Sequence, residues 1–294
     1  SLVKAINIIK KATRPVIIAG GGVIYSDAEK ILNDFCKTSG IPIIETQAGK
    51  GSLSWDHEQN LGAVGVTGTS AANLIAQKSD LVICIGTRLS DFTTASKTLF
   101  KNPGVLFLSI NVSSLDAHKH SSFSLIGDAK VCLEDFHKKL KQENFSVSKK
   151  YKSDISKLKK SWNEEVDRIF FLENKPLISQ GEVIGVVSNF MNEDDTVVGA
   201  AGSLPGDMHK LWRTKNGSQY HMEYGYSCMG YEIAGGLGIG MAKEKGDVFV
   251  MIGDGSYLMM NSEIVTAVQE NQKLIIILVN NHGFGSINLS LIHI

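Results

Sequence analysis

The stretch DVFVMIGDGSYLMMNSEIVTAVQENQKLIIILVNN, residues 247–281, carries most of the information about the fold. It opens and closes with short apolar runs that are typical of buried strands, and residues 257–270 between them have a helical pattern. A strand, a helix and a second strand form a parallel crossover, which can place the two strands side by side. Because ligands bind at the carboxyl ends of such strands, Asp254 and Asn281 are predicted to meet at one edge of a parallel sheet.

The residues around these two strand ends have the chemistry of a site for a cation and a phosphate. A carboxylate, an amide oxygen and nearby main-chain carbonyls suit Mg²⁺, a hard cation that prefers a few protein oxygens plus substrate phosphates. Glycines on both sides of Asp254 let a ligand approach the backbone, and Ser256 is predicted to open a helix whose free N–H groups favour a phosphate. The alternative is a glycine-rich turn with a capping aspartate, which Asn280, Asn281 and the following HGFG disfavour.

Strands and helices are predicted to alternate along two regions, before and after a lysine-rich segment. In the first region, Ser26 and Asp27 are expected to cap one helix and Asp128 another. Hydrophobic strands that alternate with helices imply an α/β fold of two doubly wound domains with parallel sheets. The predicted strands are 15–20, 41–46, 80–86, 105–112, 196–202, 247–253 and 273–281, and the predicted helices include 69–79, 128–140, 181–191, 227–244 and 257–270.

Length, charge and cysteine usage limit the class of protein. The 294 residues suggest two domains, and the balance of 30 basic and 30 acidic residues gives no argument for nucleic acid or a membrane surface as a partner. No apolar run is long enough to span a bilayer, and the four cysteines lack a CxxC spacing, which favours reduced thiols in a cytoplasmic protein. The chain starts at Ser1 inside a helical pattern and residues 289–294 look non-native, so a fragment is expected.

The GDG…NN pattern resembles the diphosphate-binding motif of thiamine diphosphate (ThDP) enzymes. The resemblance implies that Asp254 and Asn281 coordinate Mg²⁺ through their side chains and Gly283 through its main-chain carbonyl. It also implies that Gly255 and Ser256 hold the diphosphate at a helix start.

Two further segments resemble the same family. In YSCMGYEIAGG, residues 226–236, Met229 matches the apolar residue that supports the bent cofactor, unless it is an ordinary core residue. The main-chain groups of Ser227 and Met229 match those that bond the pyrimidine ring of the cofactor. The segment GAAGSLPGD matches a loop that also contacts the diphosphate, and its candidate cofactor-binding residues are Gly202, Ser203 and Leu204.

The resemblance also implies a domain organisation. Residues 1–142 resemble the middle domain of ThDP enzymes, and residues 179–288 resemble a truncated diphosphate-binding domain. Residues 143–178 between them are interpreted as a charged linker and surface helix, and residues 289–294 as a non-native tail. The middle domain binds FAD or a nucleotide in some members and nothing in many. Because AGGGVIYSD is not a GxGxxG motif, a purely structural middle domain is expected.

Within this superfamily, residues 196–288 resemble the family of trihydroxycyclohexane-1,2-dione hydrolases of myo-inositol catabolism. That resemblance implies ThDP- and Mg²⁺-dependent hydrolytic cleavage of a C–C bond in a small polyhydroxylated cyclic dione, with 5-deoxy-glucuronate as product. It also implies a homodimer or homotetramer when the protein is full length. The alternatives are an acetolactate-synthase-like carboligase and a non-catalytic nucleotide-binding protein of two domains.

The family activates its cofactor with a glutamate from an N-terminal pyrimidine-binding domain, and no catalytic residue is assigned in this chain. The chain is therefore expected to bind Mg²⁺–ThDP weakly and to turn over no substrate. His282 is expected to point away from the metal, because imidazole is a poor ligand for Mg²⁺. Four residues that precede the pyrimidine-contacting segment are expected to face either the substrate or an interface, namely His221, Glu223, Tyr224 and Tyr226.

Overall fold

The structure is a computed structural model that describes residues 2–292, with side chains described for residues 2–288. The chain divides into two compact units, Ser1–Asp167 and Arg168–Ile294, and each unit contains one parallel β-sheet. This architecture confirms the predicted α/β fold class. The expected non-native tail, residues 289–294, has side chains that lie outside the described part of the chain. The domain boundaries proposed from the sequence stay predictions.

The first unit is built on six strands in the order β3-β2-β1-β4-β5-β6, and every neighbouring pair is parallel. This is the strand order of a doubly wound sheet, which starts in the middle and proceeds to both edges. The strands are β1 (Pro15–Ala19), β2 (Ile43–Glu45), β3 (Asn60–Ala63), β4 (Leu81–Ile85), β5 (Leu106–Asn111) and β6 (Phe123–Ile126). The α-helices are α1 (Leu2–Lys11), α2 (Gly21–Tyr25), α3 (Glu29–Ser39), α4 (Ser70–Gln77), α5 (Asp91–Thr94), α6 (Ser114–Ala117), α7 (Ala129–Gln142) and α8 (Lys149–Phe170), the last of which ends within the second unit.

The glycine run after β1 allows two loops at the centre of this sheet to touch. Gly20 N donates to Ile85 O at 2.8 Å, and Gly22 N donates to Gly86 O at 3.0 Å. A Cβ atom on Gly20 would lie 2.3 Å from Gly86 O, so a larger residue cannot occupy this position without moving the backbone. The sequence AGGG therefore has a packing explanation in the contact between the loops that follow β1 and β4.

The lysine-rich segment, residues 141–160, supplies about half of the long helix α8, and one face of that helix is buried. Tyr151 and Ile155 are each 2% exposed and belong to the hydrophobic core of the first unit. The Tyr151 hydroxyl also donates a hydrogen bond to Pro15 O at 3.0 Å. Because residues four positions apart lie on the same side of a helix, this pair places an apolar stripe on the core, while every lysine of the helix except Lys159 is exposed. From Lys149 onward the segment is thus more than a solvated linker.

Two helix starts in the first unit bear on the capping predictions. Asp128 caps α7 as predicted, because its side chain accepts hydrogen bonds from two backbone N–H groups of the first turn. The prediction that Ser26 and Asp27 cap α3 is wrong, because the N-cap residue is Ala28, with no side-chain hydrogen bond. The Ser26 hydroxyl instead donates to Gly22 O at 2.7 Å, and thus closes the end of α2.

The second unit contains a four-stranded parallel sheet in the order β10-β9-β7-β8. Within residues 2–292, no helix has both the length and the apolar character needed to cross a membrane. The strands of this unit are β7 (Thr196–Gly199), β8 (Tyr220–Met222), β9 (Val248–Gly253) and β10 (Ile275–Val279). Its helices are α9 (Gln180–Phe190), α10 (Leu204–Leu211), α11 (Tyr231–Ala242), α12 (Asp254–Met259), α13 (Glu263–Gln269) and α14 (Gly285–Ile292). Its core includes Val198, Ile233, Val248, Val250 and Ile252.

The predicted crossover from β9 to β10 is confirmed, because the two strands are parallel neighbours. The prediction of one continuous helix over 257–270 is wrong, because the connection contains two short helices, α12 and α13. The chain leaves the helical conformation at Met260, where φ is −148° and ψ is 81°. Met260 packs directly on Gly230, since a Cβ atom on that glycine would lie 2.6 Å from Met260 Cβ. The break therefore lies where the chain contacts the segment that carries Gly230.

Candidate functional site

The carboxyl ends of β10, β9 and β7 lie side by side at one edge of the second sheet. Gly253, the last residue of β9, pairs with Val279, the last residue of β10, so the segments after both strands start at the same level. A cleft of about 290 Å³ opens at this edge. All ten site residues predicted from the sequence line the cleft, namely Gly202, Ser203, Leu204, Ser227, Met229, Asp254, Gly255, Ser256, Asn281 and Gly283.

The three predicted metal ligands meet at one point of this cleft. Gly283 N donates to Asp254 Oδ2 at 2.7 Å. One atom of the Asn281 amide lies 3.1 Å from Asp254 Oδ1 and 2.7 Å from Gly283 O. If the amide nitrogen occupies this position, Asn281 donates to both oxygens. If the amide oxygen occupies it, three oxygens face each other without a donor between them.

The arrangement with three facing oxygens is one that a cation stabilises. Mg²⁺ binds oxygens at about 2.0–2.1 Å in octahedral geometry, so neighbouring ligand oxygens lie about 2.9 Å apart. The two separations at Asn281, 3.1 and 2.7 Å, bracket that value. In the described part of the chain, no group of three or more His, Cys, Asp or Glu side chains could hold a metal. The donor set here consists instead of one carboxylate, one amide and one carbonyl oxygen, and it fits a hard cation such as Mg²⁺.

The helix beside these oxygens begins two residues earlier than predicted. Helix α12 starts at Asp254 with Gly253 as its N-cap residue, so the prediction that Ser256 opens the helix is wrong. Gly253, with φ of −77° and ψ of 155°, turns the chain from strand into helix without a side-chain cap. The N–H groups of Gly255 and Ser256 therefore lie in the first turn, where helical amides have no intrahelical acceptor. Such N–H groups can donate to phosphate oxygens in the cleft.

Glu232, a buried acid that lies behind the cleft wall, was not predicted from the sequence. Glu232 is 1% exposed, and its Oε2 atom accepts from Ser256 Oγ at 2.7 Å and from Gly230 N at 3.1 Å. Its Oε1 atom accepts from Ala201 N at 3.2 Å. The available signal was a single acid in the otherwise small and apolar helix YEIAGGLGIGMA. The partners could not be read from that signal, because they lie in other segments.

The loop that carries Ser227 and Met229 is shaped by Glu223. The Glu223 carboxylate accepts from Tyr226 N at 3.2 Å and from Cys228 N at 2.8 Å. Within this loop, Ser227 adopts a φ of 52°, in the left-handed region that residues other than glycine seldom occupy. Desolvation and the nearby Glu223 carboxylate raise the pKa of the Cys228 thiol. Glu223 thus holds the loop in the conformation that turns Ser227 and Met229 towards the cleft.

Two histidines near the site lie outside the described lining of the cleft. His221 Nε2 lies 2.7 Å from the Tyr231 hydroxyl, the two rings stack, and burial lowers the pKa of His221. His282 is exposed, and its backbone N–H donates to Asn280 Oδ1 at 2.9 Å. The expectation that the His282 side chain points away from the three oxygens stays a prediction.

Two sequence families match the chain. Residues 2–136 match the central domain of thiamine pyrophosphate enzymes, and residues 200–290 match their C-terminal TPP binding domain. The chain belongs to the thiamine pyrophosphate enzyme family. Thiamine pyrophosphate is another name for ThDP. The C-terminal match contains all ten residues of the candidate site, which extend from Gly202 to Gly283.

Several curated proteins of this family are similar to almost the whole chain. The 3D-(3,5/4)-trihydroxycyclohexane-1,2-dione hydrolase of Clostridium perfringens is 48% identical over 308 aligned residues, which cover 97% of this chain and 48% of that protein. Proteins of the same name from Clostridium tetani and Bacillus cereus are 43% and 44% identical and are also covered to 48% of their length. The chain therefore spans about half the length of the curated relatives that it matches.

Proposed function

We propose that the second unit binds the Mg²⁺ complex of ThDP in the cleft. The observation that carries the proposal is the meeting of the Asp254 carboxylate, the Asn281 amide and the Gly283 carbonyl oxygen beside the free N–H groups of α12. Acceptors that face each other suit the metal, and unpaired donors suit the diphosphate. The match of residues 200–290 to a TPP binding domain supports the same assignment.

Each part of the cleft then has a separate task. Asp254 supplies the negative charge that holds the metal, and Asn281 and Gly283 complete its protein ligands. The N–H groups of Gly255 and Ser256, with the loop that carries Gly202, Ser203 and Leu204, bind phosphate oxygens. Met229 and Ser227 contact the organic part of the cofactor. When bound, ThDP supplies an electron sink that allows a C–C bond next to a carbonyl to break.

For the whole protein we propose hydrolytic opening of trihydroxycyclohexane-1,2-dione. Support comes from relatives of that name at 43–48% identity over 97% of the chain. The cleft of about 290 Å³ lies just below the range of about 300–1,000 Å³ that small-molecule sites occupy. This size supports the view that other surfaces complete the site, so the 294 residues by themselves are expected to bind Mg²⁺–ThDP weakly and without turnover.

Calorimetric titration of the chain with ThDP, with and without Mg²⁺, tests the cofactor proposal. We expect saturable binding that requires Mg²⁺ and that is lost in Asp254→Ala. Asp247→Ala is the matched control, because Asp247 precedes the opposite end of β9 and forms an ion pair with Lys273 at the surface. Equal binding by both variants, or Mg²⁺-independent binding, would contradict the metal assignment.

A second assay tests the reaction. Consumption of the cyclic dione by the 294-residue chain would refute the expected lack of turnover. The activity of the longer protein with the dione, compared with pyruvate, separates the hydrolase from an acetolactate-synthase-like carboligase.

A further inference from the structure

Glu232 connects three segments that line the cleft but does not itself line it. Its three hydrogen-bond donors are Ala201 N, Gly230 N and Ser256 Oγ. Ala201 belongs to the loop after β7, Gly230 precedes α11, and Ser256 lies in the first turn of α12. With 1% exposure, the Glu232 carboxyl group is too buried to touch a ligand in the cleft.

The hydroxyl of Ser256 is engaged on the side away from the cleft. It donates to Glu232 Oε2 at 2.7 Å and accepts from Gly230 N at 2.7 Å. Ser256 is 4% exposed, so its rotamer is fixed by these two partners within a packed environment. Only the main-chain N–H group of Ser256 remains available to donate a hydrogen bond to a phosphate. The direction of that N–H group depends on where Glu232 holds the start of α12.

We propose that Glu232 is a positioning residue of the cofactor site. It fixes the loop after β7, the segment that carries Met229 and the first turn of α12 in one arrangement, so that their main-chain groups bind the diphosphate together. The proposal rests on the proposed binding of Mg²⁺–ThDP and names a residue that acts through others. Because Glu232 receives only donors, a carboxylate suits its place, and its position in the first turn of α11 favours negative charge.

The same unit contains a matched control for an acid that is buried for structural reasons alone. Asp195 is 4% exposed and precedes β7 at the opposite edge of the sheet. Like Glu232, it accepts from two backbone N–H groups and one side chain, which belong to Asn192 and Asp247. Glu232→Gln and Asp195→Asn each keep the shape of the side chain. Each replaces one carboxylate oxygen with an NH2 group, which then faces a hydrogen-bond donor instead of accepting from it.

The experiment compares these two variants of the full chain. Titration with ThDP at saturating Mg²⁺ should show at least tenfold weaker binding in Glu232→Gln and a change below twofold in Asp195→Asn. Thermal unfolding should show similar losses of stability in both. If the two variants weaken binding equally, or if neither does, Glu232 is an ordinary buried acid and the proposal is wrong.

A double-mutant cycle with Ser256→Ala tests the route of the effect. If Glu232 acts through Ser256, the Glu232→Gln penalty on ThDP affinity should fall from at least tenfold to less than threefold when Ser256 is already Ala. Fully multiplicative penalties would show that the two residues act independently, which would refute this route.

Hydrogen exchange of the chain without cofactor distinguishes failure of the inference from failure of the proposed function. Glu232→Gln should accelerate exchange in the peptides that cover residues 200–204 and 254–259, and Asp195→Asn should not. If the unsubstituted chain does not bind Mg²⁺–ThDP, the proposed function fails while this exchange pattern still decides whether Glu232 holds the segments. Unchanged or uniformly faster exchange would overturn the positioning role.

Discussion

Replacement of Asp254 by Asn distinguishes a metal ligand from a residue that only shapes a turn. In the chain without metal, Gly283 N still finds an acceptor, because the Asn carbonyl oxygen can take the place of Asp254 Oδ2. The new amide N–H group points to the side where Asn281 and the Gly283 carbonyl oxygen lie. With the Asn281 amide oxygen turned to that side, the variant adds a donor to a cluster of acceptors while it removes the negative charge.

The two effects on stability are similar in size and opposite in sign. Loss of charge from the hydrogen bond to Gly283 costs about 1 kcal/mol, and a new neutral hydrogen bond to Asn281 contributes about 1 kcal/mol. The net change in the free energy of unfolding is thus within about 1 kcal/mol, which corresponds to a shift of the unfolding temperature below about 4 °C.

Metal binding changes much more. Two unit charges at 4 Å attract by about 4 kcal/mol at an effective dielectric constant of 20, and Mg²⁺ is doubly charged and closer. A loss of about 3 kcal/mol is therefore a lower bound, or a factor of about 100 or more in affinity.

The assay combines thermal unfolding without ligand and calorimetric titration with ThDP in the presence of Mg²⁺. Asp254→Asn should unfold within a few degrees of the unsubstituted chain and bind about 100-fold more weakly or not at all. Asp247→Asn, at the other end of β9, should leave both quantities unchanged. If Asp254→Asn binds within threefold of the unsubstituted chain, or if it destabilises the ligand-free chain by about 3 kcal/mol, the aspartate is a turn residue and the reasoning fails.

Three further predictions concern other parts of the chain. In the first unit, burial lowers the pKa of Lys50 from 10.5 to about 8 and raises the pKa of its partner Glu45. Between pH 8 and pH 9, Lys50 stays protonated in the unfolded chain but loses its proton in the folded chain. The free energy of unfolding should therefore rise by about 1 kcal/mol over this range relative to Lys50→Met. Parallel urea-unfolding profiles of the two proteins against pH would contradict this. Gly255→Ala should change the free energy of unfolding by less than about 1 kcal/mol, because two effects oppose each other. The new Cβ would lie 2.7 Å from Cε1 of the half-exposed Phe284 ring and would displace it, while Ala has a better helix propensity than Gly. Titration should nevertheless show weaker ThDP binding, and unchanged binding would refute the close approach at this helix start. Met229→Ala should weaken ThDP binding while Met229→Leu retains it, and equal binding by both variants would show that Met229 supports no part of the cofactor.

The sequence predicted the strands that bury apolar runs and missed those that do not. β1, β4 and β9 were predicted within one or two residues, because each is a short apolar run that a glycine or a polar residue ends. β3, β6 and β8 are three or four residues long and lie at sheet edges, where too few residues are present to establish a period. Edge strands of this length are defined by their pairing with a neighbour rather than by a local pattern.

The site shows the same division between local and distant information. Asp254 and Asn281 were predictable because a single crossover joins them, and neighbouring parallel strands bring their ends to one edge. The break at Met260 did not follow from the local pattern, and Met260 contacts Gly230, which lies on another segment. Glu232 was missed for the same reason, since its partners Ala201 and Ser256 are 31 and 24 positions away in the sequence.

Two acids of the second unit illustrate why the cleft suits a metal–diphosphate complex rather than a metal or an anion alone. Around Asp254, the Gly283 carbonyl oxygen and the side-chain amide of Asn281 converge, and a cation stabilises the orientation in which the amide presents its oxygen. Around Glu232, every partner is a donor, so its charge is already satisfied and its role is to hold backbone in place. Between the two acids lies Ser256, whose hydroxyl faces Glu232 and whose N–H group belongs to the first turn beside Asp254. A ligand that fits both neighbourhoods must present a cation to the oxygens and anionic oxygens to the free N–H groups, and a diphosphate that carries Mg²⁺ does both.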